Sequence, residues 1–491
     1  MILESTVFIS GFSIMVLEII GIRMLNPFFG SSTYVLTSII SIVLLSLSIG
    51  YWLGGKKADK SPSFNFFFKI IFFSSILVLF IFGNRNYYLS FIEKTNLDYK
   101  FKVLLASLIM FLPINFLLGM ISPYAVRLKL KKTNQAGSIS GNLYAISTLG
   151  SIIGTFLTGF FLIPMISITK IVYLISIILF INSLLIFFLK IKKTGNFFIL
   201  PFLLFLIFLL NEKKPKENYI AVTQSAYNDI LVYDKDIRTD QNSIISVRYL
   251  ITNKYNYQSA MFKNEPHALV FPVLKYFRLL EHFSPKLENV LVLGGGGYSY
   301  PKYFLKKFPT GKIDVVEIDP KITEIAKKYF FLEDKNPRLN IYHQDARVYI
   351  NKNKKKYDAI IVDVFNYEVP PYYIATKEAV KKIFSSLSEK GVVIVNIVSA
   401  IEGANSRLIR SYYKTYSLIF PQIYVFDVHK NRDSSLKRNI ILVCLKNKNK
   451  ISFKSEDKEI QKYLNSLINK DINEGGLILL DDYAPVESFF R

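Results

Sequence analysis

The sequence predicts two folds in one chain: a multi-span α-helical membrane region over residues 1–210, then an α/β domain built on a doubly wound, mostly parallel sheet and entered through a small N-terminal β-hairpin subdomain. Three observations predict this. Of the 491 residues, 51% are hydrophobic and 15% aromatic, at a mean hydropathy of +0.29, which excludes a soluble single domain of this length. Residues 1–210 carry 17 Lys+Arg against 5 Asp+Glu, and 211–491 carry 44 against 32, so each part has a net charge of +12 at very different charge density. Finally, short β-rich runs alternate with helical stretches only after residue 288, the pattern of a sheet covered on both faces.

In the first part, apolar runs long enough to cross about 30 Å of hydrocarbon occur at residues 6–25, 34–53, 64–82, 101–121, 143–163 and 168–188. A seventh stretch, 197–210, has 14 residues and contains Pro201; as a helix it reaches only about 21 Å. The first run lacks a basic start and is followed at once by further spans, so it is expected to remain rather than be cleaved as a signal. Positive clusters follow the second span (Lys56, Lys57, Lys60), the fourth (Arg127, Lys129, Lys131, Lys132) and the sixth (Lys190, Lys192, Lys193). Those loops are expected inside the cell, which gives a multi-pass protein of the cell (inner) membrane with a cytoplasmic N-terminus. Six crossings leave the soluble part cytoplasmic, and seven place it outside. Gly50, Gly54, Gly150, Gly154 and Gly159 are expected to serve close helix packing.

In the second part, runs at 230–233 and 244–251 read as hairpin strands, within a subdomain taken as 211–260. Strands are then expected at 289–293, 313–318, 339–342, 358–362 and 392–397, with an antiparallel pair at 423–428 and 439–445, in a domain taken as 261–491. Bulk features narrow the chemistry. The lysines are scattered among Asn, Ile, Phe and Tyr and form no basic patch with a recognisable fold, so no nucleic-acid partner is expected. Cys444 is the only cysteine and the four histidines lie far apart, so neither a disulfide framework nor a metal site is expected.

Ligands of such sheets sit at the carboxyl ends of the strands. The first strand runs into Gly294-Gly295-Gly296-Gly297, where the glycines let backbone approach a ligand and the next helix offers free N–H groups. The second ends in Glu317, 23 residues after Gly294, the place from which a carboxylate holds both ribose hydroxyls. The third leads to Asp345-Ala346, suited to an adenine amino group or, equally, to capping the next helix. The fourth places Asp363 at the mouth of the crevice, and an acidic strand end with no phosphate-binding lysine nearby suits a cationic substrate.

These residues, over about 221–397, resemble the spermidine synthase (polyamine aminopropyltransferase) family in its membrane-fused bacterial form, which has an N-terminal multi-span region. Leu480-Asp481-Asp482-Tyr483-Ala484-Pro485-Val486-Glu487 resembles the tail of that fused group. The resemblance implies a Rossmann-like, adenosylmethionine-dependent methyltransferase-like domain. It also implies transfer of the aminopropyl group of decarboxylated S-adenosylmethionine to putrescine, giving spermidine and methylthioadenosine. The nucleoside is then a co-substrate, no cofactor is bound permanently, and a homo-oligomer (dimer or tetramer) is the family habit.

By position, Gly294 and Gly296 belong to the nucleoside loop, Glu317 resembles the ribose ligand, Asp345 with Ala346 the adenine contact, and Pro370, seven residues past Asp363, the lip over the nucleoside. Asp363 resembles the catalytic aspartate. Its task suits a carboxylate: a protonated amine is no nucleophile, so an acid must orient it and take its proton as the amine attacks the carbon beside the sulfonium. The sulfonium leaves as a neutral thioether, so alignment does most of the work. Tyr227-Asn228-Asp229-Ile230, Gln258-Ser259 and Pro266-His267 resemble segments lining the two substrates, with Asn228 standing where the family has Gln and His267 where a His contacts the polyamine. Two carboxylates of the family pattern are missing on the amine side. Gly297 replaces an Asp and Asn366 replaces the second acid of an Asp-x-x-Asp segment, with Glu368 close enough in sequence to compensate. A loop without those acids also suits intact S-adenosylmethionine, so a methyltransferase acting on a membrane-proximal acceptor is the alternative. A transporter or sensor with a non-catalytic nucleoside-binding domain is the third reading, which Glu317, Asp345 and Asp363 together disfavour.

Overall fold

Lipid offers no hydrogen bonds to backbone, so an apolar chain of this length crosses it as helix. In the structure, a computed structural model, six helices are long and apolar enough to do so: Ile2–Phe29, Thr33–Lys60, Phe64–Phe82, Tyr99–Lys129, Thr133–Met165 and Ile168–Ile191. The structure describes residues 1–29, 32–191 and 219–489, apart from 226, 239–243, 253–255, 285, 365–370, 431, 470–471 and 473–474. The stretch 197–210 lies outside the described residues. Thr33–Lys60 and Tyr99–Lys129 end in basic residues, with Lys57 and Lys60 in the last turn of one and Arg127 and Lys129 in that of the other.

Small residues bring these helices close. A Cβ on Gly150 would lie 2.2 Å from the carbonyl oxygen of Phe8, and one on Gly50 2.4 Å from that of Phe116; Gly54 and Gly154 are similarly tight. Gly159 does not follow its expected role, because a Cβ there would meet nothing within 4 Å. Polar side chains pair inside the bundle: Thr6 Oγ1 donates to Asn182 Oδ1 at 2.9 Å, and Lys129 Nζ lies 2.5 Å from Glu4.

The chain divides into two compact units, Met1–Lys216 and Glu217–Arg491. The second begins with a four-stranded antiparallel sheet, β1 (Ala221–Gln224), β2 (Asp229–Arg238), β3 (Ile244–Thr252) and β4 (Asn256–Phe262), paired in chain order. A seven-stranded sheet follows, of β5 (Asn289–Leu293), β6 (Lys312–Val316), β7 (Leu339–Tyr342), β8 (Tyr357–Val362), β9 (Leu387–Ser399), β10 (Gln422–Asp427) and β11 (Arg438–Leu445). Its order is β10-β11-β9-β8-β5-β6-β7. The five strands β5 to β9 are parallel and β11 runs antiparallel between β9 and β10.

The central strands are apolar on both faces, as a sheet covered on two sides requires. Val290 and Val292 enter one core with Ile313, Val315, Ile361 and Ile394, while Leu291 and Leu293 enter the other with Val362 and Val395. The small sheet joins the first core through Ile230, Val232, Leu250 and Met261. Strand order reverses between β5 and β8, so the crevice for a ligand opens there, beyond the carboxyl ends.

Candidate functional site

Two main-chain bonds fix the strand ends that form the crevice. Asp363 N–H donates to the Leu293 carbonyl at 2.9 Å, and Gly294 N–H to that of Val316 at 2.8 Å. Gly294 has φ +98, and a Cβ there would stand 2.1 Å from the Asp363 carbonyl oxygen, so only glycine lets β5 turn away beneath β8. The loop then enters the helix Ser299–Lys307 through Tyr298, a left-handed residue (φ 55) whose buried hydroxyl shares a 2.7 Å bond with Thr323.

Glu317 knits this loop to the end of β6. Its Oε2 accepts from Gly295 N–H at 2.8 Å and Gly296 N–H at 3.1 Å, and its Oε1 from Asp319 N–H at 2.9 Å. Burial raises the Glu317 carboxyl above the usual range, and the three N–H donors work against that rise. Asp319 caps the helix Pro320–Tyr329 through Lys321 N–H, while its other oxygen accepts from Ser225 Oγ at 2.5 Å and Asn228 Nδ2 at 3.2 Å. The small sheet is thereby tied to the same strand end, and Asn228 is directed at Asp319.

Asp345 caps the helix Ala346–Lys352, accepting from Arg347 N–H at 2.8 Å and Val348 N–H at 3.1 Å. Its second oxygen accepts from the Tyr373 hydroxyl at 3.0 Å. Ala346 opens that helix. Arg347 makes a two-pronged contact with Asp481 at 2.9 and 2.6 Å and also donates to the Tyr373 carbonyl and Thr376. The tail residue Asp481 thus braces the wall that carries Asp345.

Asp363 follows β8. Enclosure by protein raises its carboxyl, and the Asn396 amide, donating to Oδ1 at 2.9 Å, opposes the rise. Asn396 in turn accepts from Asn439 Nδ2 at 3.1 Å, so β11, β9 and β8 carry one polar line across an otherwise apolar sheet.

Gly297 N–H donates to Ser259 Oγ at 2.7 Å, and a Cβ on Gly297 would stand 2.7 Å from the Ser259 Cβ. A side chain at 297 therefore requires β4 to move. His267 Nδ1 is buried with no hydrogen-bond partner among the described residues. Asn366, Glu368 and Pro370 lie outside the described residues.

The structure thus gathers Gly294, Gly296, Gly297, Glu317, Asn228 and Asp363 around one loop. Sequence reading passed over Ser225, Asp319, Tyr373, Asn396 and Asn439. Asn396 left a signal, being a polar residue inside the apolar run 392–397; Ser225 and Tyr373 left none, since their partners Asp319 and Asp345 are distant in sequence.

Residues 276–455 match the family model described as the spermine/spermidine synthase domain. A polyamine aminopropyltransferase of Vibrio vulnificus is 28% identical over 276 residues, 53% of this chain and 88% of its own. A second, polyamine aminopropyltransferase 2 of Aquifex aeolicus, is 24% identical over 412 residues, covering 80% of this chain and 78% of its own, so that similarity extends into the helical unit. A third, from Alkaliphilus oremlandii, is 30% identical over 151 residues, 30% of this chain and about half (52%) of the relative. The family match falls on the segment that builds this site, with its doubly wound sheet, its glycine loop held by a strand-end glutamate and its aspartate at the switch point, so the C-terminal unit is similar to the spermine/spermidine synthase domain.

Proposed function

We propose that the C-terminal unit is a polyamine aminopropyltransferase that moves the aminopropyl group of decarboxylated S-adenosylmethionine to putrescine, releasing spermidine and methylthioadenosine. The observation that carries this reading is the convergence of Glu317 and Asp363 on one glycine loop, in a domain whose relatives are named for that transfer.

Glu317 takes the ribose hydroxyls from the rim of the Gly294–Gly296 turn, and Asp345, fixed by its cap and by Tyr373, faces the adenine. Pro370 closes over the base. Asp363 holds the attacking amine and receives its proton: the amine nitrogen bonds to the methylene carbon, the carbon–sulfur bond breaks, and its electron pair returns to a neutral thioether. The raised Asp363 carboxyl is the better proton acceptor for being enclosed, and Asn396 fixes which oxygen faces the crevice. His267 and Glu368 hold the far end of the amine, in a pocket where Gly297 and Asn366 replace acids.

The helical unit anchors the enzyme in the cell membrane, with its basic clusters and the C-terminal unit on the cytoplasmic side. The test is to incubate detergent-purified chain with putrescine and either decarboxylated or intact S-adenosylmethionine and to follow products by mass spectrometry. Spermidine and methylthioadenosine from the decarboxylated donor are expected. Asp363→Asn should lower kcat by about 10³-fold or more while donor affinity stays within about threefold. Methyl transfer from the intact donor, with none from the decarboxylated one, would replace this reading with a methyltransferase.

A further inference from the structure

Beyond the crevice, the same end of the seven-stranded sheet carries a second cleft, at its β10 edge. β10 runs parallel to β9, so the 428–437 loop that follows it lies at the carboxyl end of the sheet, three strands and about 14 Å from β8 at the usual strand spacing. With the helix Lys458–Leu464 and Tyr276, that loop encloses about 720 Å³, the size of a small-molecule site.

The lining is one-sided in charge. Lys430, Arg432, Lys458 and Lys462 line the cleft with the amides of Gln461 and Asn465 and with His429, whose imidazole is held below its ordinary range by burial, and no carboxylate does. Of the acids on the surrounding elements, Asp457 and Glu459 share Arg278 with Glu281, Asp427 pairs with Arg438, Asp433 accepts from Ser435 N–H, and Glu456 precedes the helix outside the lining. Lys458 and Lys462 stand one turn apart on one helix face. Among the described residues, neither of them nor Arg432 is in an ion pair, and Lys430 donates only to the Asn465 carbonyl at 2.8 Å. Arg438 holds the loop in place by donating to the carbonyls of His429 and Arg432, and its Nη2 is buried without a partner among the described residues. Uncompensated cations gathered around a cavity raise the local concentration of anions and hold them by charge-assisted bonds.

We propose that this cleft binds a small anion bearing two or three linked phosphate groups. Its span suits several phosphates in a row, since cations come from both walls, the loop and the helix. A nucleic-acid strand is disfavoured, because the lining offers no Phe or Trp and its one tyrosine, Tyr276, is buried with its hydroxyl bonded to the Asp427 carbonyl. The phosphates belong either to a soluble compound or to a lipid headgroup, which share this chemistry.

Calorimetric titration of the detergent-purified full chain with inorganic triphosphate at 0.15 M salt tests the site. Saturable one-to-one binding is expected. Lys458→Gln with Lys462→Gln should weaken it by about tenfold or more, and Lys306→Gln with Lys307→Gln, the same charge change on an exposed helix outside the cleft, by less than about twofold. Equal weakening by the two pairs, or no binding to the wild-type chain, overturns the proposal. Repeating the titration in phosphatidylcholine nanodiscs with and without cardiolipin, whose headgroup carries two phosphates linked through a glycerol, identifies the source. Loss of triphosphate affinity with cardiolipin, absent from the Lys458→Gln/Lys462→Gln chain, assigns the site to lipid headgroups; unchanged affinity assigns it to a soluble phosphate compound.

Discussion

Lys302 shows how a single buried cation leaves a measurable mark. It lies on the helix that follows the glycine loop, is 3% exposed, and its ammonium meets the Phe330 carbonyl at 2.5 Å and the Met261 sulfur at 3.4 Å, with no carboxylate. Burial pulls its pKa down from 10.5 to about 8. Below pH 8 the folded and unfolded chains both hold the proton, and the folded state bears the full cost of a buried charge. Between pH 8 and 10.5 the unfolded chain keeps a proton that the folded chain has shed, so stability climbs with pH; above 10.5 both are neutral. The span corresponds to about 3 kcal/mol at most. Lys302→Met keeps the stem and removes the charge, so it should melt higher than the wild type at pH 7, with the difference shrinking as pH passes from 8 to 10. A difference that is flat with pH would mean that the ammonium is solvated through a route around Phe330.

At the scale of the element, β9 matters because it carries Asn396 between Asp363 on β8 and Asn439 on β11. An amide donated to the carboxylate stabilises its ionised form, so Asn396→Leu leaves burial unopposed and raises the Asp363 carboxyl further. If Asp363 works ionised, the acidic limb of kcat/KM should move up by about one pH unit while KM for the donor stays within about twofold. An unmoved limb would remove Asp363 as the group that sets it. The strands themselves were legible: β5 and β7 fall on the predicted residues, and β6, β8, β10 and β11 within one or two of them, because buried parallel strands are short apolar runs between helix signals. β9 begins five residues before its apolar run, at Leu387, because Leu387 pairs with Tyr357 ahead of an irregularity, after which Val392 pairs with Ala359. β1 and β4 left weaker traces. Ala221–Gln224 is too short for a pattern, and Asn256–Phe262 mixes polar and small residues that face Gly297 and the helix Ser299–Lys307 as well as its neighbour strand. The glycine loop, Glu317 and Asp363 were legible because each sits where a strand ends. Asp345 was legible only as an ambiguity, and the structure shows the cap.

For the whole molecule, the proposed arrangement about the bilayer rests on six helices long and apolar enough to span it and on the placement of cations. The loops after the second and fourth spans hold Lys60, Lys131 and Lys132, whereas the region between the third and fourth holds Arg85, Lys94 and Lys100, so density rather than absence sets the orientation. Arg85 is drawn back to the bundle, donating to the Phe82 carbonyl and Thr169, and Lys102 to the Glu93 carbonyl. The chain lends itself to a thiol test, because its single cysteine, Cys444, is fully buried in the seven-stranded sheet and gives little background. With a membrane-impermeant maleimide on intact cells, Asn96→Cys should label, while Thr133→Cys and the exposed Ser435→Cys should label only after permeabilisation. Labelling of Thr133→Cys but not Asn96→Cys from outside would reverse the orientation of the bundle. Labelling of Ser435→Cys from outside while Thr133→Cys stays protected requires an odd number of crossings between them beyond those of the fifth and sixth helices, which only residues 192–218 have the length to supply. A donor made inside the cell then could not reach Glu317 and Asp363 without a transport step, and aminopropyl transfer at this site would be excluded for the intact cell.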